Sequence, residues 1–404
     1  MFAMKRRLLV YESEDSGHRL QHPAFIANAS RRVSTGFDEL HLLVPKSFKE
    51  RLLEYFPDFI ESRSSVKISY IGDQCLQKFV SIKGIVARAN AELEYIDAYV
   101  RENQITDIHL DCLNRFFCSW SKMRKLGVQY SGIYYSPYLR ETAGSGIVND
   151  LKFRLRRLRK VLILRLFLRW VPIRCVFVLN DQSVVTQLNK AFEVGLFRYI
   201  VDPVWENVRS DAATSGQLVG NAVRFLIFGT ISKEKGVGQF VGALRLLSDE
   251  LAGRMILRIA GRVRPEYQIE YEMQLQALVA AKPEIRVELE NRFLSVDEVR
   301  DCFRSCDIVV NTNIRTQAAS GVMGQAAAWG KPAITSSSGL YGELARVYQL
   351  GPVVDPYNSA EVCDACELIL SGDFSDFDHR RAIKYCEERH WLCFAQTIFS
   401  DHEH

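Results

Sequence analysis

The stretch Gln317-Ala-Ala-Ser-Gly-Val-Met-Gly-Gln325-Ala-Ala-Ala-Trp-Gly-Lys-Pro332 follows an apolar run of strand character, Asp307-Ile-Val-Val-Asn311, and runs at once into another, Ala333-Ile-Thr335. Its centre is a turn of small residues, Ala318 to Gly321, then an alanine-rich helix that Gly330-Lys-Pro332 stops. A strand, a small-residue turn and a helix opening toward that turn define a parallel α/β unit. The first N–H groups of the helix lack intrahelical partners and the helix dipole favours negative charge there, so a phosphate suits the site. A tight strand-to-helix turn with no ligand satisfies the same spacing.

Working outward, the rhythm of that unit recurs on both sides. Short apolar strands alternate with longer helical patterns, at 8–11, 39–44, 66–70, 107–110, 128–134 and 175–179 in the first half. In the second they fall at 224–228, 255–260, 286–289, 307–310, 332–335 and 352–354. This alternation predicts two doubly wound, Rossmann-like domains with helices on both faces of parallel sheets. A chain of 404 residues exceeds what one hydrophobic core usually serves. Residues 201–216 lose periodicity and read as a linker. Tandem domains of this kind place a ligand at the carboxyl ends of their strands, in a cleft.

Composition excludes several classes. Apolar residues make up 48% and charged ones 25%, as in ordinary globular proteins, and a net charge of +4 is too small to argue for nucleic acid. The ten cysteines form no disulfide framework. Cys302 and Cys306, like Cys363 and Cys366, have helical spacing in apolar patterns without a His-rich partner, and read as buried thiols in a cytosolic protein rather than a zinc site. The start, Met1 to Val10, is interrupted at Tyr11-Glu12 before a signal-peptide core forms, and no apolar run is long enough to span a bilayer.

Several short motifs stand in order across the second half: Phe228-Gly-Thr-Ile-Ser-Lys-Glu-Lys-Gly236, Ile259-Ala-Gly261, Val296-Asp-Glu-Val299 followed by Cys306-Asp-Ile-Val-Val310, Gln325-Ala-Ala-Ala-Trp-Gly-Lys-Pro332 and Leu350-Gly-Pro-Val-Val-Asp-Pro356. Together, from about residue 223 to 356, they resemble the donor-binding domain of the GT-B glycosyltransferases of family 4, the glycosyl transferases group 1. The resemblance implies a GT-B fold with an acceptor-binding domain at 1–205, a nucleotide-sugar domain at 206–385, and a last helix, within 386–404, crossing back to the first domain. It implies transfer of a sugar from a nucleoside-diphosphate-sugar to a hydroxyl, with retention of anomeric configuration, no cofactor and no metal ion. The work implied is cell-surface polysaccharide or glycolipid assembly. A non-catalytic binding protein on the same fold, and a soluble enzyme acting on a small molecule or protein, are the alternatives.

The chemistry assigns roles residue by residue. Departure of a nucleoside diphosphate builds negative charge on the phosphates, so a metal-free site needs fixed cations and backbone donors there. Lys235 is the expected cation, beside Gly229. The arginine that accompanies the matching lysine in the family is replaced by Thr230, leaving Arg262 as a second candidate. The N–H groups of Ser320, Gly321 and Val322 would hold the distal phosphate. The family's pair of glutamates, with seven residues between them, falls on Gln317 and Gln325. Gln325 can hydrogen-bond ribose hydroxyls and Gln317 the transferred sugar, but neither supplies a carboxylate's charge.

On the first domain, the loop after the first strand offers Gly17, for close backbone approach to the donor, and His18. His109 and Asp111, at the end of a later strand, fall where the family carries histidines near the transferred sugar. Tyr135 and Tyr138 suit a sugar-binding wall, although core packing explains such aromatics equally well. Finally, Asn149 to Trp170 reads as a helix bearing Lys152, Arg154, Arg156, Arg157, Arg159, Lys160, Arg165 and Arg169, with Leu151, Leu155, Leu158, Leu162, Leu166 and Trp170 on one stripe. Two readings fit. In one the stripe rests on an anionic membrane and the protein is cytoplasmic, peripheral at the inner face of the cell membrane. In the other the stripe packs on the core beneath a solvated basic face.

Overall fold

The computed structural model describes residues 5–14, 17–59, 66–135, 137–140, 147–206, 222–314 and 321–400, with the backbone alone at 17–18 and 147–150. It divides into two compact units, one of residues 1–203 with 391–404, the other of residues 204–390. The residues read as a linker at 201–216 lie largely outside the described ones.

The first unit is built on β1 (Arg7–Tyr11), β2 (Glu39–Pro45), β3 (Val66–Ile71), β4 (Asp107–Leu110), β5 (Gln129–Ile133), β6 (Ile173–Leu179) and β7 (Phe197–Ile200). They form one sheet of order β3-β2-β1-β4-β5-β6-β7, parallel throughout. The central strands are apolar on both faces because helices cover both; Leu8, Leu9 and Val10 of β1 are fully buried. Sequence periodicity misses β7. Its four residues, Phe197-Arg-Tyr-Ile200, pair only with β6 at the edge of the sheet, with Phe197 and Ile200 buried, Arg198 exposed and Tyr199 half-buried. The helix Trp391–Ser400 belongs to this unit, packing Trp391 against Phe25 and Phe56, and Phe394 against His22.

The second unit contains β8 (Val223–Phe228), β9 (Met255–Ala260), β10 (Arg286–Glu290), β11 (Ile308–Asn311), β12 (Ala333–Ser336) and β13 (Val353–Val354), in the parallel order β10-β9-β8-β11-β12-β13. Local signals set the element ends. Ser295 and Glu298 close a capping box at the start of helix Val296–Ser305. Gly330, with φ 62°, ends helix Gly321–Ala328 in the left-handed conformation that glycine adopts without strain.

In both sheets strand order reverses beside the first strand, between β1 and β4 and between β8 and β11. Adjacent connections leave toward opposite faces there, opening a crevice at the carboxyl ends of the strands. The chemistry-bearing residues of each unit gather at these two points.

The basic helix spans Ile147–Trp170. Its core-facing side chains are Leu164 and Phe167, with Val161, Ile163 and Leu168 half-covered, whereas Leu151, Leu155, Leu158 and Leu162 are exposed. The core-packed reading of the leucine stripe is therefore excluded: the core takes the opposite face.

Candidate functional site

At the β8/β11 switch point two glycine turns are pressed together. Gly229 follows β8 at φ 104° and Gly261 follows β9 at φ 137°; a Cβ on Gly261 would stand 2.0 Å from the Gly229 carbonyl oxygen. The Gly229 N–H donates to the Ala260 carbonyl at 3.0 Å, and the Ile231 N–H to that of Arg262 at 2.9 Å. The chain then turns through Lys233–Lys235 to Gly236, at φ 69°, where a Cβ would meet the Thr312 carbonyl oxygen at 2.1 Å. Only glycine lets this turn close on the loop after β11, which it also meets through the Ile314 N–H donated to the Glu234 carbonyl at 2.9 Å.

That closure holds Lys235 over Gly229, its Nζ 3.8 Å from where a Cβ on Gly229 would lie. Lys235 is half-buried and has no acidic partner among the described residues. Loss of solvent lowers its pKa from the ordinary lysine value to about 8. A cation left without a counter-charge at a strand terminus is built to meet an anion.

Behind it lies a set of polar side chains that motif reasoning missed. Asn311, Thr312 and Asn313 are all buried at the end of β11, with the Asn313 side-chain amide donating to Asn311 Oδ1 at 3.0 Å. An apolar strand followed by three consecutive small polar residues was the available signal. Helix Gly321–Ala328 follows, fully packed from Val322 onward. Within it Gln325 is buried and its Oε1 has no hydrogen-bond donor among the described residues. A buried acceptor without a donor costs on the order of 1–3 kcal/mol, and a hydroxyl is one group that satisfies it. Thr230 is exposed. Arg262, also exposed, stacks its guanidinium over Phe293 at 5.4 Å and lines an open cavity of about 580 Å³ with Val263, Pro265, Gln268, Asn291, Arg292 and Phe293. Gln317 and Ser320 lie outside the described residues.

At the β1/β4 switch point of the first unit, Asp111 meets Tyr135 and a residue the sequence did not single out, His22. His22 Nδ1 is 2.8 Å from Asp111 Oδ1, and the Tyr135 hydroxyl lies 3.3 Å from Asp111 Oδ2 and 3.1 Å from His22 Nδ1, its ring stacked parallel to the imidazole. His22 and Asp111 are buried from solvent and Tyr135 is half-buried. Burial opposes charge on both members of the pair. The attraction between them prevails, raising the His22 pKa above the usual histidine value and lowering that of Asp111. Burial, reinforced by the Asp111 carboxylate, pushes the Tyr135 phenol well up.

Next to this pair the loop after β1 is locked by a buried charge network. Arg115 donates to Glu92 Oε2 at 2.8 Å, to Ser13 Oγ at 2.7 Å and to Glu14 Oε1 at 2.5 Å, while Arg88 holds the other Glu92 oxygen at 2.8 Å. Glu12 accepts the N–H groups of Ser13 and Glu14, yet burial and the neighbouring Asp111 push its pKa to about 8. His109 is buried one turn of pleat away, its Nδ1 3.0 Å from Ser131 Oγ. Gly17 opens a short helical turn, Gly17–Leu20, that leads into helix Gln21–Ala29; the side chain of His18 is outside the description. Tyr138 is not brought to Asp111. It is buried in the core beneath the basic helix, with Arg157 over its ring at 5.7 Å.

The fold is that of the GT-B glycosyltransferases, and the match to them covers 98% of the chain. Anabaena Alr3699/HepE, solved with UDP and glucose, superposes with a TM-score of 0.65 at 17% identity over 99% of its length. Sucrose-phosphate synthase from Thermosynechococcus elongatus gives 0.68 at 15% identity over 98% of its length. WaaG, a glycosyltransferase involved in lipopolysaccharide biosynthesis, gives 0.61 at 13% identity over 98% of its length. Residues 222–372 match the family described as glycosyl transferases group 1. No curated protein matches the chain by sequence. The matched segment holds Gly229, Lys235, Gly261, Asn311 to Asn313 and Gln325, the residues gathered at the second switch point.

Proposed function

We propose that this protein is a glycosyltransferase that moves a sugar from a nucleoside-diphosphate-sugar to a hydroxyl acceptor. The observation that carries the reading is Lys235: a half-buried cation without an acidic partner among the described residues, fixed over Gly229 at the carboxyl end of β8 within the segment that matches the group 1 family. In this reading Lys235 neutralises the diphosphate as the glycosidic bond breaks, and the backbone donors of Ser320, Gly321 and Val322 take the distal phosphate. The unsatisfied Oε1 of Gln325 accepts a ribose hydroxyl. Arg262 and Phe293, at the edge of the same end of the sheet, offer a cation and an aromatic face to the base. Gln317 meets the transferred sugar through its amide.

No metal or cofactor enters this scheme, because lysine and helix N–H groups supply the charge a metal would. Retention follows from the family resemblance. Departure and attack occur on one face, and the leaving phosphate takes the acceptor proton. The acceptor is assigned to the first unit, with Asp111, Tyr135 and His109 at its switch point and His18 on the loop after β1. Its class is a hydroxyl of a growing polysaccharide or glycolipid.

Calorimetry with a panel of nucleoside diphosphates, followed by assay of their release from the matching sugar donors, tests the proposal. Binding with turnover supports it. Binding without turnover identifies a catalytically degenerate relative, the outcome to which Gln317 and Gln325 would point. No binding to any nucleotide overturns the reading.

A further inference from the structure

We propose that helix Ile147–Trp170 lies flat on an anionic lipid bilayer, with its leucine ridge inserted between the headgroups. At about 100° per residue, Leu151, Leu155, Leu158, Leu162 and Leu166 fall within an arc of roughly 80°. Their exposure runs from 36% to 65%, so the ridge stands in solvent. The buried side chains Leu164 and Phe167 lie on the opposite side of the helix axis, packed on the core. The helix thus has two apolar faces back to back, and the protein itself covers one of them.

The cations are placed to suit the second. Lys152 and Arg159 on one side, and Arg154 and Arg165 on the other, flank the ridge at roughly 60–80° from its centre. Residues 151–170 contain no acidic residue. At the far end Trp170 is 36% exposed, with Arg124 and Arg169 against its ring. An apolar ridge between two rows of cations, closed by an aromatic residue, fits the boundary between acyl chains and anionic headgroups. Charge decides against the other occupants. A second copy of this helix would bring its own cations against these with no carboxylate to offset them. A nucleic acid would meet the cations and leave the leucines in water. No described helix is long and apolar enough to cross a membrane, so the contact is interfacial.

Membrane contact through this helix is independent of the donor site. The full chain is sedimented with vesicles of phosphatidylcholine alone and of phosphatidylcholine with about a third phosphatidylglycerol. The protein is expected to pellet with the anionic vesicles, to stay in solution with the neutral ones, and to be released by high salt. A variant carrying Leu155→Glu, Leu158→Glu and Leu162→Glu alters only exposed positions and is expected to lose at least tenfold in vesicle affinity. An unchanged melting temperature and unchanged nucleotide calorimetry show that its fold is retained. Equal binding of the triple variant, or equal binding of neutral and anionic vesicles, overturns the proposal. So does a concentration-dependent dimer that the triple variant abolishes, since the ridge would then join two copies.

Discussion

Among the described residues Lys235 has no acidic partner and Gln325 Oε1 no hydrogen-bond donor, and in the proposed reading a nucleotide supplies both. For Lys235 this gives a pH signature. The free amine titrates near pH 8, whereas a bound diphosphate holds it protonated at higher pH. Nucleotide affinity is therefore expected to be insensitive to this group below pH 8 and to fall by up to about tenfold per pH unit above it. Calorimetry from pH 7 to 9.5 with the nucleoside diphosphate that the panel selects checks this, and Lys235→Ala should both abolish transfer and flatten the profile. Replacing Gln325 by Leu removes the orphan acceptor at little change in volume. It is expected to cost donor affinity about tenfold, one hydrogen bond's worth, while leaving the fold intact. Gln317→Ala is expected to lower turnover more than donor binding, which steady-state kinetics would resolve into kcat and KM. In the other unit, the pair of His22 and Asp111 adds stability only within a pH window. The Asp111 share is present above the ordinary carboxylate range and is lost as pH falls through its lowered pKa. The His22 share is full below the ordinary histidine value and is lost as pH rises through its raised pKa. Asp111→Asn leaves a buried imidazole without its counter-charge and should destabilise the first unit by about 3 kcal/mol, measured by denaturant unfolding at pH 6.

Among the elements, the turn between β8 and the following helix shows how packing, not propensity, makes a binding loop. Gly236 is in the left-handed region with the Thr312 carbonyl where its Cβ would be. Gly236→Ala is strained and overpacked at once. It is expected to lose about 1–3 kcal/mol of stability and, by displacing Lys235, to weaken nucleoside-diphosphate binding more than a distant destabilising change of equal size. Comparing melting temperature and nucleotide affinity in the one variant separates the two effects. The basic helix teaches the complementary lesson. Its sequence carries apolar residues on two opposite faces, and periodicity picks out the leucine stripe because leucine recurs there most regularly. The core selected the other face, where Phe167 and Leu164 meet Phe117 and the rest of the first unit's core.

For the whole molecule, chain order and packing disagree at the end. Helix Trp391–Ser400 follows the second unit in sequence but buries Trp391, Phe394, Ile398 and Phe399 in the first. Trp391→Ala, which empties a pocket against Phe25 and Phe56, is expected to cost about 3–5 kcal/mol. Hydrogen exchange should place the loss in residues 7–133 and leave 223–354 unchanged. Conversely, a saturating nucleotide should raise the stability of the second unit by about 2.7 kcal/mol at a hundred times its Kd. The added exchange protection should concentrate at 229–236, 261–264, 311–314 and 321–328.

The strands were legible in the sequence, as was the class of fold, because a buried parallel strand must be apolar on both faces and so announces itself without its neighbours. The exception, β7, is an edge strand of four residues whose middle two, Arg198 and Tyr199, are not buried. Motif order also picked out Gly229, Lys235 and Gly261, which the fold brings against one another, since turns in close backbone contact demand glycine in local sequence. Proximity across the sheet was not legible. His22 lies 89 positions before Asp111, and Glu92 is joined to Arg115, Ser13 and Tyr11 only by the topology that sets β1 beside β4. The same holds for Tyr138, which has the composition of a site wall and the position of a core residue, and for the leucine ridge, whose exposure depends on which of two apolar faces the core could bury. Local periodicity and glycine placement are properties of the chain alone. Burial, ion pairing and the lowered pKa of Lys235 depend on what distant segments bring against a residue, and only the folded structure decides that.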